Sequence, residues 1–119
     1  RVFQQRATTT DATVTTLHTV TVAASTTYLV EARVVARRTG GSAGTAEDSA
    51  AYVVRAAVKN VAGTATIVGI VSQIFVAEDQ VLWDATIDVT GATARVRVTG
   101  AASNNIVWHT TVMVQNVGT

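Results

Sequence analysis

Apolar and polar residues alternate along most of the chain after residue 13, with the two-residue period of β-strands rather than the 3.6-residue period of helices. Over Tyr28 to Arg38, Tyr28, Val30, Ala32, Val34 and Ala36 fall on one side, and Glu31, Arg33, Val35 and Arg37 on the other. Such a pattern predicts one buried and one wet face. The same reading predicts strands over 14–22, 50–59, 81–90, 94–99 and 106–117. Their inward residues are Tyr52, Val54, Ala56 and Val58 in the third strand and Trp83, Ala85, Ile87 and Val89 in the fifth. The sixth contributes Val96 and Val98, and the last Trp108, Thr110, Val112 and Val114. Turn signals separate the strands: Asn60-Val61-Ala62-Gly63, Thr90-Gly91-Ala92-Thr93, and a long glycine-bearing loop over 39–49. The turn at Gly91 predicts a hairpin with Gly91 at positive φ, in which Asp84 and Asp88 can face Arg97 and Arg95.

Two segments depart from clean alternation. Residues 1–13 show no period and read as an extended N-terminal arm or linker, leaving 14–119 as the domain. The segment 64–76 is apolar on both sides, with Ile67 and Val71 on one and Val68, Ile70 and Ile74 on the other. A strand of this kind is expected either at the centre of the structure or with its outer side covered by another subunit, which makes Val68, Ile70 and Ile74 the candidate oligomer face. Gly69 within it is the expected site of a bulge.

Composition reinforces the strand reading. Of 119 residues, 22 are Val, 21 Thr and 20 Ala. Val and Thr are stiff at χ1 and suit pleated surfaces, so a helical bundle is excluded. The fold expected is all-β: an antiparallel β-sandwich of seven to eight strands, jelly-roll or immunoglobulin-like, with an extended N-terminal arm. The absence of Cys removes disulfides and thiolate metal sites.

A net charge of +1 with scattered Arg gives no field for nucleic acid or an anionic membrane surface. Residues 60–77 carry no charge, but Asn60, Thr64, Thr66, Ser72 and Gln73 make them too polar for the ~20 apolar residues of a membrane-spanning helix. The sequence begins at Arg1 and its only Met is Met113, so a processed or partial chain is expected.

Candidate chemistry is sparse. His18 and His109 sit on alternating strands, where a surface or interface position is expected. Serines lack the Gly-x-Ser-x-Gly elbow of a nucleophile. Glu47-Asp48, Glu78-Asp79, Asp84 and Asp88 are the carboxylate candidates. Asp84 and Asp88 lie about 13 Å apart on one strand face, too far for a retaining glycosidase pair. Glu47, Asp48, Glu78 and Asp79 could converge on a Ca²⁺ ion only if their loops meet, and no Ca²⁺-loop motif is present. The Thr39–Gly44 stretch lacks the Lys and the helix of a phosphate loop. Trp83, Trp108, Tyr28 and Tyr52 are the candidate ligand or interface aromatics; all four fall on the apolar side, where core or interface packing is expected. No catalytic, cofactor or metal residues are assigned.

Several segments, TTTDATVTTL (8–17), residues 26–69, the AEDQ-x-x-WDA pattern (77–85) and ARVRVTGAASNNIVWH (94–109), resemble a β-rich module of tailed-bacteriophage structural proteins, found in tail fibres, spikes and capsid-attached fibres. The resemblance covers nearly the whole chain after residue 7. It implies an all-β, trimeric domain on the virion surface with no enzymatic residues. Residues 1–13 would dock to other virion proteins, and loops 39–49, 77–80 and 100–105 would be displayed. The alternative from a different class is a receptor- or carbohydrate-binding tip that contacts a bacterial surface glycan through Trp83, Trp108 and the glycine-rich loop.

Overall fold

A computed structural model describes residues 1–118. Eight antiparallel strands form two sheets: β1 (Val2–Thr9), β2 (Thr15–Thr21), β3 (Thr26–Gly40), β4 (Ser49–Val61), β5 (Thr64–Glu78), β6 (Asp84–Thr90), β7 (Thr93–Thr99) and β8 (Asn105–Gly118). The larger sheet has the order β1-β8-β3-β4-β5 and the smaller β2-β7-β6. No helix forms among the described residues. The first strand pairs with the last and the second with the seventh, the nested pairing of a folded-back ribbon as in a jelly roll. An immunoglobulin order would pair the first strand with the second instead. Strands β3, β4 and β5 then run on as a meander in one sheet.

The core lies between the sheets and is built from the residues that alternation places inward. Val30, Val34, Val54, Val58, Val96, Val98 and Val112 are all nearly inaccessible, as are Tyr52, Trp83 and Trp108. The two indoles meet at 6.0 Å between ring centroids, tilted by 55°. Each buried Val, Ile or Leu side chain contributes about 1.5–3 kcal/mol over an exposed one.

Tight turns gather at one end of the molecule. Ala62 and Gly63 both have positive φ, at 54° and 89°, the pattern of a type I′ hairpin turn. At the second hairpin only Gly91 is positive, at 53°, the pattern of a type II′ turn. Asn60 ties this end together: its amide donates to the Val22 carbonyl at 2.7 Å, and its side-chain oxygen accepts from the Gly63 N–H at 2.9 Å.

Three expectations are corrected. First, residues 2–9 are not a free arm. They form β1, paired with β8 from Val2↔Met113 to Thr9↔Ile106. Their alternation is faint because β1 is an edge strand that half-buries only Phe3 and Ala7 and buries only Thr9. Second, of the two placements expected for segment 64–76, the central one is not taken. Strand β5 is the opposite edge of the same sheet, and its second apolar side faces outward. Third, residues 81–83 are a turn rather than strand. Val81 and Leu82 are 83% and 75% exposed, and β6 begins only at Asp84.

Candidate functional site

Two surfaces concentrate what chemistry the fold presents: the β5 edge, and the end where the longer loops meet.

Strand β5 owes its shape to extra residues. Its register against β4 slips twice, once where Ile74 has no partner and once around Gly69, Ile70 and Val71. Gly69 has a φ of 74°, so the expected bulge is present. A bulge bends the strand and breaks strict alternation, which is why residues of both parities are exposed. Val68, Ile70 and Ile74, the three expected face residues, are 44%, 83% and 49% exposed. Phe75 and Val76 join them at 52% and 46%, a pair that strict alternation would have split between core and surface. Gln73 turns the other way and holds the two sheets together. Its amide donates to Asp84 Oδ1 at 2.7 Å and to the Ala85 carbonyl at 2.6 Å.

At the loop end, residues 41–48, 79–83 and 100–104 form one hydrogen-bonded cap. Ala43 N–H donates to the Ser103 carbonyl at 3.1 Å. Arg38 Nε donates to Asn104 Oδ1 at 3.0 Å and to the Ala43 carbonyl at 3.0 Å. The loops carrying Glu47-Asp48 and Glu78-Asp79 do meet, but each carboxylate serves the local structure. Asp79 accepts from the Ser49 N–H at 2.9 Å, Asp48 from Gln80 Nε2 at 2.8 Å, and Glu47 from Arg37 at 2.9 Å. Glu78 accepts a hydrogen bond from the Tyr52 hydroxyl at 2.5 Å. No cluster of three metal-ligating side chains occurs among the described residues. A crevice of about 180 Å³ opens here, lined by Gln80, Leu82, Trp83 and Asn104.

The candidate aromatics lie inside. Trp83 and Trp108 are 1% and 0% exposed, and neither offers a face to a sugar ring. Trp108 Nε1 donates to Thr9 Oγ1 at 2.8 Å, which fixes β1 to the core; the indole Nε1–H of Trp83 is buried without a protein partner. Tyr52 is buried, and desolvation together with the neighbouring Glu78 carboxylate raises its hydroxyl pKa far above the ordinary value. Tyr28 is half-buried, its hydroxyl accepting weakly from the Ala23 N–H at 3.4 Å. His18 stacks on Phe3 at 4.7 Å between centroids, and burial lowers its pKa. His109 lies on the outer side of the larger sheet in a shallow depression with Arg6, Val35 and Arg37.

The outer side of the larger sheet carries its own charge group. Glu31 accepts from Arg55 Nε at 2.6 Å and from Arg33 Nε at 3.2 Å. These bonds, Arg55 first, hold its carboxyl below the ordinary carboxylate range. On the smaller sheet Asp88 accepts both Nε and Nη2 of Arg95, at 2.7 and 2.9 Å, and Arg97 Nη1 at 3.2 Å. The expected Asp84–Arg97 pair does not form: the register sets Asp84 against Thr99, and its carboxylate meets Gln73.

No protein-family model matches the chain, and no curated protein sequence is similar to it. Among solved structures, the tailspike protein of Acinetobacter baumannii phage AM24 superposes with a TM-score of 0.59 at 10% identity, over 98% of this chain and 27% of that one. The tailspike protein of Acinetobacter phage vB_ApiP_P1 gives a TM-score of 0.46 at 15% identity, over 98% of this chain and 22% of that one. The chain thus spans about a quarter of the length of the first protein. At this identity the likeness is one of fold.

Proposed function

We propose that the chain is a non-enzymatic structural module of a bacteriophage particle, a homo-oligomeric, trimeric domain of a fibre or capsid decoration displayed on the virion surface. The observation that carries the reading is the fold match to part of a phage tailspike over nearly the whole chain. The uncovered apolar β5 edge supports self-association, because apolar patches of this kind mark interaction sites. The role is passive: a rigid sandwich, locked by its own core, holds its loops outward. Contact with other virion proteins, expected through residues 1–13, would engage β1 as an edge strand already seated in the sheet. Quantitative peptide mass spectrometry on density-banded particles tests the reading. Peptides of the chain should co-purify with the particles in multiples of three copies; their absence from banded particles would overturn it.

A second role, contact with a bacterial surface glycan, is favoured by the crevice at the loop end. With Trp83 and Trp108 inside, such contact falls to polar groups at the crevice such as the half-buried Gln80 rather than to an aromatic platform. Binding of bacterial polysaccharide that survives Gln80→Ala would remove the crevice from this role.

A further inference from the structure

We infer that the β5 edge and the turn that follows it are the surface on which further copies of this chain pack, and that they pack by side chains rather than by adding strands to the sheet. This rests on the homo-oligomeric reading above and gives it a location.

The surface is set apart by what it lacks. No charged residue occurs from Asn60 to Ala77, while both apolar sides of that segment are occupied. Ile70, Ile74, Phe75 and Val76 on the strand and Val81 and Leu82 in the turn are between 46% and 83% exposed. Summed over strand and turn, these exposures come to on the order of 600 Å² of apolar surface, against the roughly 800 Å² that each partner contributes to a standard interface. In a trimer each copy brings an equal strip, and three strips meeting about a shared three-fold axis would cover one another.

The geometry selects the manner of packing. A regular edge strand offers evenly spaced N–H and C=O groups to an incoming strand, and bulges are a recognised means of blunting that template. Strand β5 carries two register slips, with Ile74 at one and Ile70 at the other. The slips break the hydrogen-bonding rhythm, and Ile70 beside the positive-φ Gly69 is the most exposed of the strand's large apolar residues. The edge that cannot accept a strand is therefore the one that presents apolar side chains.

The outer side of the larger sheet is the competing surface, since Leu29, Val35 and Met113 are also exposed there. Those residues surround the Glu31–Arg33–Arg55 group, whose arginine side chains are 65% and 50% exposed. Covering that face would strip water from three charges, a cost that their mutual attraction does not reliably offset. The segment 60–77 carries no charge of its own, and only Phe75, in the cross-strand row of Val53 and Arg33, approaches that group.

Light scattering on three purified proteins tests the inference: the unmodified chain, Ile70→Glu on the strip and Leu29→Glu on the outer sheet face. The unmodified chain and Leu29→Glu should have the same multiple of the monomer mass, and Ile70→Glu should fall to a single copy. An Ile70→Glu protein that keeps the full mass overturns the inference and leaves the oligomeric reading standing. A monomeric unmodified chain overturns both. Should Ile70→Glu fail to fold, the chain's lack of Cys permits single thiol probes. Ile70→Cys should be alkylated at least about tenfold more slowly than Leu29→Cys, as expected of a site that assembly covers; equal rates would count against the inference.

Discussion

Tyr52 shows how much of this molecule rests on single side chains. Its ring is in the core, and its hydroxyl crosses to Glu78, which joins β4 to the end of β5. Tyr52→Phe should cost about 1–2 kcal/mol, measured by chemical denaturation at neutral pH, because it leaves Glu78 without its donor. The pH dependence follows from the same site. The folded state holds the hydroxyl neutral, with its pKa raised, while the unfolded chain ionises near pH 10. The stabilisation is therefore present below about pH 10 and lost as pH rises above it. Tyr52→Phe should flatten that alkaline limb. Glu31 has the opposite sign: its lowered pKa gives a contribution present at neutral pH and lost as pH falls below the carboxylate range. Most inward residues, including both Trp, were legible in the sequence because alternation needs only a period. Ion pairing was legible in part. The Asp88–Arg95 pair follows from a two-residue turn at Gly91-Ala92, whereas the partner of Asp84 is Gln73 on β5, in the other sheet.

Elements were legible where a turn or a clean alternation bounds them, as in β3, β4 and the β6–β7 hairpin. Edge strands were not. An edge that buries one or two side chains has little periodic signal, which is why β1 reads as an arm. A strand apolar on both sides reads the same whether it is central or at an edge that another subunit covers, which is why the pattern alone left both placements open for β5. Two outcomes follow at this scale. Removal of residues 1–9 should sharply lower the thermal midpoint or prevent folding, because it deprives Trp108 of its hydrogen-bond partner and uncovers β8. A truncated protein as stable as the full chain would show β1 to be dispensable. Ala62 occupies a φ of 54° in a turn that suits Asn-Gly. Ala62→Asn should stabilise the protein by about 0.5–1 kcal/mol in denaturant unfolding, by relieving the left-handed strain of an alanine.

Across the whole molecule, long strands give an elongated body of 51 × 23 × 22 Å. Tight turns close one end, and the longer loops cap the other. Its two long sides differ. Beside β1, Phe3 and His18 stack across to β2 and close the gap between the sheets. Beside β5, Gln73 bridges to β6 while Ile70, Ile74 and Phe75 stay exposed. That asymmetry is the physical basis for reading the chain as one copy of an assembly. The most direct measurement is the solution mass of the unmodified chain by light scattering across a micromolar dilution series. The account expects a concentration-independent species of three times the 12.4 kDa chain mass. A stable, soluble single copy throughout the series would contradict it.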